Sequence, residues 1–152
     1  MYLKEYIEKL GNNKVKLFID MDGVIVDYVV GSAYDFHKRR PLTSSIAKLE
    51  EISKMSNVEL FILSVARIHQ GIEEKDGWLD KYAPFFKKEN RNIIAREDKD
   101  LLSSYDIKAN FFKELEDDDS TLIMIDDDPI VLREIGKANK NVIRLKDTAL
   151  VD

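Results

Sequence analysis

Apolar residues gather in short runs separated by longer amphipathic stretches. Four runs are brief, rich in Ile and Val, and bounded by polar residues: "VKLFI" (Val15–Ile19), "VELFIL" (Val58–Leu63), "NIIA" (Asn92–Ala95) and "TLIMI" (Thr121–Ile125). That is the pattern of strands buried on both faces. A fifth run, "NVIRL" (Asn141–Leu145), carries the same pattern more weakly. Between the runs the period lengthens. "LTSSIAKLEEISKM" spaces Ile46, Leu49, Ile52 and Met55 about one turn apart, which predicts a helix with Thr43 or Ser44 as its N-cap. "GIEEKDGWLDKYAPFFKK", "KANFFKELE" and "DPIVLREIGKAN" also predict helices, the last with Pro129 just inside its start. Strands alternating with helices predict an α/β fold, a three-layer sandwich around a mostly parallel sheet. No repeat, flexible linker or low-complexity tract interrupts the 152 residues, so residues 1–152 are expected to form one domain.

Composition narrows the partners. Hydrophobic residues make up 44% of the chain and charged residues 35%, a balance typical of soluble globular proteins. The formal charge of −5 argues against a broad nucleic-acid or anionic-membrane surface. It leaves room for a small phosphorylated substrate in a local site. The chain has no cysteine, which excludes disulfides, thiolate metal sites and a cysteine nucleophile. "MYLKEYIEKL" is charged and amphipathic and lacks the apolar core of a signal peptide. No apolar run approaches the roughly 18 residues of a membrane span. A cytoplasmic location is the resulting expectation.

The candidate chemistry lies in the acidic residues. "DDDSTLIMIDDD" places the same triplet on both sides of a predicted strand. Asp117–Asp119 closes a predicted helix and precedes the strand, where a solvated turn is the simplest reading. Asp126–Asp128 follows the strand and precedes a helix. That is the carboxyl end of a parallel strand, where open α/β sheets bind ligands. "VKLFIDMDGVIVD" repeats the arrangement, with Asp20 and Asp22 following the strand that ends at Ile19. Residues i and i+2 of an extended chain point to the same side, and Gly23 then permits a sharp turn. Adjacent carboxylates repel unless a cation neutralises them. Two acidic strand ends on one sheet edge make an oxygen-rich site suited to Mg²⁺.

"DMDGVIVD" resembles the first motif of the haloacid dehalogenase (HAD) superfamily, hhhDxDG. "LFILSVA" resembles its second motif, an apolar strand ending in Ser or Thr, here Ser64, and "LIMIDDDP" resembles its fourth, an acidic pair after the fourth strand. The resemblance runs from about Lys14 to Leu145, with all three motifs in order and each at a strand end. It implies a HAD-like Rossmannoid sandwich and a Mg²⁺-dependent phosphomonoesterase. Asp20 would attack phosphorus and become an aspartyl phosphate. Asp22 would protonate the leaving oxygen and then deprotonate the attacking water. The metal would lie among the Asp20 carboxylate, the Asp22 carbonyl, Asp127 and the phosphate, with Asp126 holding waters or the third-motif lysine. Asp128 would serve as a helix N-cap, and Ser64 would donate to a phosphoryl oxygen. Family ATPases carry Thr at the Asp22 position; a carboxylate there implies rapid hydrolysis of the phosphoenzyme.

Two lysines compete for the third motif. Lys108 stands 18 residues before Asp126 at the start of a predicted helix, as in many family members. Lys99 lies just past the third strand, in "EEKDGWLDKYAPFFKKENRNIIAREDKD", a segment similar to the 5′(3′)-deoxyribonucleotidases, where an aromatic-rich helix leads to a strand and an Arg-Asp-Lys element. That similarity favours Lys99, with Lys108 as the alternative, and implies (deoxy)nucleoside monophosphates as substrates. The chain departs from those relatives by one residue in the Arg-Glu-Asp-Lys element and by an insertion over 100–118. It also departs in its cap: residues 23–42 suffice for a flap and little more, so the site is expected to be open. A capless phosphatase acting on a nucleic-acid end or phosphoprotein, and a non-catalytic receiver-like Mg²⁺-binding domain, are the other readings. The acidic pair of receiver domains ends the first strand rather than the fourth, which counts against the last.

The remaining candidates are simpler. Trp78, Phe85 and Phe86 stand at helical spacing and are expected in the core rather than in a base-stacking platform. Arg67 is expected near the mouth of the site as a substrate contact. His69 has no evident partner and reads as a surface residue. "HKRR" (His37–Arg40) is the one basic cluster near the flap.

Overall fold

The computed structural model describes residues 3–28 and 35–151. Five strands, β1 (Val15–Ile19), β2 (Val58–Ala66), β3 (Arg91–Ala95), β4 (Thr121–Asp126) and β5 (Ile143–Lys146), form one sheet in the order β3-β2-β1-β4-β5. Every neighbouring pair is parallel. The helices are α1 (Leu3–Lys9), α2 (Thr43–Ser53), α3 (His69–Tyr82), α4 (Ser104–Lys113) and α5 (Pro129–Ala138).

Strand alternation sorts the side chains into two cores. Val15, Leu17 and Ile19 of β1 pack with Ile7 of α1, Leu49 of α2 and Trp78 of α3. Phe18 points the other way, to Phe112 of α4 and Ile135 of α5. The expected three-layer α/β sandwich is therefore present, with helices on both faces of the sheet. The sheet is parallel throughout rather than mostly so. Trp78 and Phe86 are fully enclosed and Phe85 packs against the same core, as expected, although the two phenylalanines lie beyond the end of the helix.

Element ends shift where local chemistry overrides periodicity. The helix expected over 71–88 begins at His69 and stops at Tyr82, because Pro84 cannot continue it. Helix α2 has neither Thr43 nor Ser44 as cap; Leu42 occupies the N-cap position with no side-chain bond. Helix α4 starts four residues before the expected segment, where the Ser103 hydroxyl accepts from the Asp106 amide at 3.3 Å. Asp128 caps α5 as expected, accepting from the Ile130 amide at 2.8 Å.

Part of the expected flap, 29–34, lies outside the described residues. Its two ends are joined: the Asp27 amide donates to the Arg40 carbonyl at 2.8 Å, and Leu42 to Ile25 at 2.8 Å. Among the described residues no helix is long and apolar enough to cross a membrane.

Candidate active site

The chain leaves β1 toward β2 and β3 on one side, then returns to place β4 on the other. The crevice between the carboxyl ends of β1 and β4 is thus a topological switch point, where open α/β sheets bind ligands. Asp20 follows β1 and Asp126 ends β4, and the Asp20 amide donates to the Ile125 carbonyl at 3.0 Å. Carboxylate oxygens of Asp20, Asp126 and Asp127 all lie within 4.8 Å of one another. A cavity of ≈ 510 Å³ opens over them, lined also by Asp22, Tyr28, Ser104, Lys108 and Pro129.

The turn after β1 shapes this cluster. The amides of Val24, Ile25 and Val26 all converge on the Met21 carbonyl, and Gly23 takes a φ of +80°. A β-carbon at Gly23 would lie 2.2 Å from Asp127 Oδ2, so glycine both permits the turn and admits the carboxylate.

Lys108 is the lysine that enters the cluster. Its Nζ donates to Asp20 Oδ1 at 2.9 Å and to Asp126 Oδ2 at 2.7 Å, with all three side chains at least nine-tenths buried. The first turn of α4 and the i, i+4 spacing of Lys108 and Phe112 direct it at the sheet. Lys99, favoured from its surroundings in the sequence, is exposed in the turn after β3, and its hydrogen bonds are backbone bonds within that turn. The insertion over 100–118 accounts for the difference, because it includes α4 and carries Lys108 back to the strand ends.

Electrostatics follow from burial. Desolvation pushes the Asp20 carboxyl up to about 6, assisted by the charges of Asp126 and Asp22 and opposed by Lys108. Asp126 and Asp127 are raised as well, chiefly by desolvation. Burial works against the Lys108 ammonium, yet the two carboxylates outweigh it and raise its proton affinity. Asp126 is occupied on both oxygens, with Oδ1 accepting from the Asp128 amide at 3.0 Å and Oδ2 from Lys108. Asp127 is half-buried and faces the cavity.

Asp22 stands apart from the three clustered carboxylates. Its Oδ1 accepts from Arg39 Nη1 at 2.6 Å and its Oδ2 from Lys75 Nζ at 3.0 Å. Lys75 also donates to Ser64 Oγ at 2.7 Å and to the Val65 carbonyl at 2.9 Å. Ser64, expected to face a phosphoryl group, is fully buried beside this lysine. Strand β2 explains its position. It matches β1 only up to Ile62 opposite Ile19, then continues and pairs with β3, so Ser64 lies past the end of β1 but inside β2.

Arg39 and Lys75 were not anticipated from the sequence. Lys75 had a signal: it shares the spacing of Gly71, Trp78, Leu79 and Tyr82, which marks the buried face of α3. Arg39 belongs to the basic "HKRR" cluster, whose other members Lys38 and Arg40 pair with Asp35 and Asp27. The Trp78 indole donates to the Arg39 carbonyl at 3.0 Å and fixes this segment against α3. Arg67 is exposed just after β2 and does not line the cavity over the three aspartates; it lines, with Asp22, a different one. His69 does have partners: Nε2 lies 2.7 Å from Asp98 and 3.6 Å from Glu97, joining the start of α3 to the turn after β3.

No protein-family model matches the chain, and no curated protein is detectably similar to it.

Proposed function

We propose that this protein is a Mg²⁺-dependent phosphomonoester hydrolase of the HAD type, working through an aspartyl phosphate on Asp20. The observation that carries the reading is the Lys108 bridge between Asp20 and Asp126, beside Asp127, at the switch point of a parallel sheet. A buried nucleophile needs its charge balanced and its oxygen aimed, and the bridge supplies both. The motif resemblance described above points to the same residues in the same order.

The cluster suits a divalent cation. Three carboxylates and one ammonium leave two negative charges in a confined, oxygen-only site, and desolvation raises all three carboxyls. Asp20 and Asp127 would hold Mg²⁺ directly, together with the Asp22 carbonyl, while Asp126 is committed to Lys108 and the Asp128 amide. When bound, the ion supplies charge neutralisation at the phosphoryl group.

The chain's own residues then divide the work. An Asp20 oxygen attacks phosphorus as the bond from phosphorus to the leaving oxygen breaks. Asp22, which must first take up a proton on the oxygen it frees from Arg39 or Lys75, gives that proton to the leaving oxygen. In the second half a water attacks phosphorus, its proton passes to Asp22, and the bond to Asp20 breaks to release phosphate. Both Asp22 oxygens are engaged by Arg39 and Lys75, so each transfer requires one oxygen to exchange its cation partner for substrate or water. Lys108 keeps Asp20 oriented, and Lys75 holds Ser64 and Asp22 in register.

A panel of phosphomonoesters, including (deoxy)nucleoside monophosphates, tested with Mg²⁺ and with a chelator examines this reading. Turnover should require the metal. Asp20→Asn should form no phosphoenzyme, whereas Asp22→Asn should slow turnover about 10²–10⁴-fold and trap phosphoenzyme from esters with good leaving groups. Near-normal rates in Asp20→Asn would remove the covalent mechanism.

A further inference from the structure

A second cavity, of ≈ 470 Å³, lies on the far side of Asp22. It shares Asp22 and Val65 with the first, so the proposed acid and base forms the partition between them. Phosphoryl transfer fixes what such a partition means. The residue that protonates the leaving oxygen must touch the leaving group, so the leaving group extends past Asp22 into this second space.

The walls of the second cavity are amphipathic. Phe36, Val65, Ala66 and Ile68 provide an apolar floor and rim, and Ile68 is half exposed although apolar. Three cations, Arg39, Arg67 and Lys75, outnumber the carboxylates Asp22 and Glu74, so the lining is positive whether Asp22 is ionised or carries the proton it donates. Arg39 and Lys75 are drawn to Asp22 and lie 5.1 and 5.4 Å from the Phe36 ring centroid. The Arg39 side chain is nine-tenths buried, yet its Nε has no hydrogen-bond partner. Arg67 is exposed and makes no ion pair with any described residue. An unmatched guanidinium beside an apolar floor is a site for one carboxylate on an apolar frame.

Building on the hydrolase reading, we infer that the second cavity is the leaving-group pocket and selects phosphomonoesters of hydroxy acids: an apolar body against Phe36 and Ile68, a carboxylate at Arg67. A neutral leaving group would fill the floor and leave the positive charge unanswered.

The matched probes are 3-carboxyphenyl phosphate and its neutral amide, 3-carbamoylphenyl phosphate, with wild type and Arg67→Gln. The acid should be favoured by about tenfold in kcat/KM, mostly through KM, and the preference should fall toward one in Arg67→Gln. Equal kcat/KM for both esters in wild type, or a preference untouched by Arg67→Gln, would overturn the assignment while leaving the hydrolase intact. Ligand-observed NMR with 3-hydroxybenzoate and 3-hydroxybenzamide separates binding from chemistry. If neither ester turns over, selective binding of the acid that Arg67→Gln abolishes would uphold a carboxylate site at Arg67 and overturn its assignment as the leaving-group pocket. Absence of such selectivity would remove the pocket.

Discussion

A β-carbon on Gly23 would stand 2.2 Å from Asp127 Oδ2, although the two residues belong to different strand ends. Gly23 also holds a φ of +80°. Two demands therefore fall on one position, a left-handed backbone and an empty space for a carboxylate. Gly23→Ala should cost about 1–2 kcal/mol from the backbone alone, and should displace Asp127. Mg²⁺ affinity measured by calorimetry should fall more than thermal stability predicts. A variant with wild-type Mg²⁺ affinity would show that Asp127 does not need this space.

The two lysines should separate cleanly. Lys108 is buried between Asp20 and Asp126, and its removal leaves two buried carboxylates without their cation. Breaking a buried pair in this way costs about 3–5 kcal/mol. Lys108→Met should therefore melt well below wild type in chelator, with Mg²⁺ restoring part of the loss, and should hydrolyse phosphomonoesters poorly. Lys99→Met should stay within about 0.5 kcal/mol of wild type, as exposed substitutions usually do, and should keep its activity. A large effect at Lys99 with none at Lys108 would reverse the assignment.

That pair also shows how much a single sequence discloses. Strand existence was legible because the runs at Val15–Ile19, Val58–Leu63 and Thr121–Ile125 are dense in buried residues and the sheet accepts them on both faces. Asp20, Asp126 and Asp127 were legible because a strand end fixes where a side chain goes. Lys108 could not be ranked above Lys99 on neighbours alone, since reaching Asp20 spans 88 residues and depends on how α4 packs. Lys75 was hidden for a related reason: its buried position is set by the apolar stripe of α3, but its acceptors, Ser64 and Asp22, come from other elements.

Acidity should reveal the strain in the metal-free cluster. Folding raises the Asp20 carboxyl to about 6 from an ordinary 3.8. The folded protein thus binds this proton more tightly than the unfolded chain does. Below about pH 4 both forms are protonated and no penalty exists; as pH rises toward 6 the penalty develops, and above 6 it is complete, on the order of 2–3 kcal/mol. In chelator, Asp20→Asn should accordingly gain on wild type between pH 4 and 6 and melt higher at pH 7. Mg²⁺ should stabilise wild type strongly at pH 7 and weakly at pH 5, where protons compete for the same oxygens. A pH-independent difference between wild type and Asp20→Asn would exclude Asp20 as the titrating group.

The two aspartate triplets should respond in opposite ways. Asp117 and Asp119 are exposed, but Asp118 is more than a solvated turn residue: it accepts from Lys16 Nζ at 2.5 Å and from the Ser120 amide at 2.8 Å. The Lys16 bond and the Ser120 amide hold its carboxyl down at about 2. This is a structural clamp at the amino-terminal ends of β1 and β4, opposite the carboxyl ends where Asp20 and Asp127 meet. Replacing Asp117, Asp118 and Asp119 together by Asn should leave Mg²⁺-dependent turnover nearly intact and cost about 1 kcal/mol of stability. That cost should be present above about pH 4, because the lowered carboxyl stabilises the fold only when ionised, and should vanish as pH falls toward 2. Asp127→Asn, by contrast, should weaken Mg²⁺ binding and cut turnover steeply, since on the proposed reading an oxygen ligand loses its charge. In chelator it should melt no lower than wild type, because it relieves repulsion among the crowded carboxylates of Asp20, Asp126 and Asp127. Turnover at fixed Mg²⁺ and melting in chelator, measured for both variants, check the contrast. Equal loss of activity in the two would mean that the carboxyl end of β4 has no special claim on the chemistry.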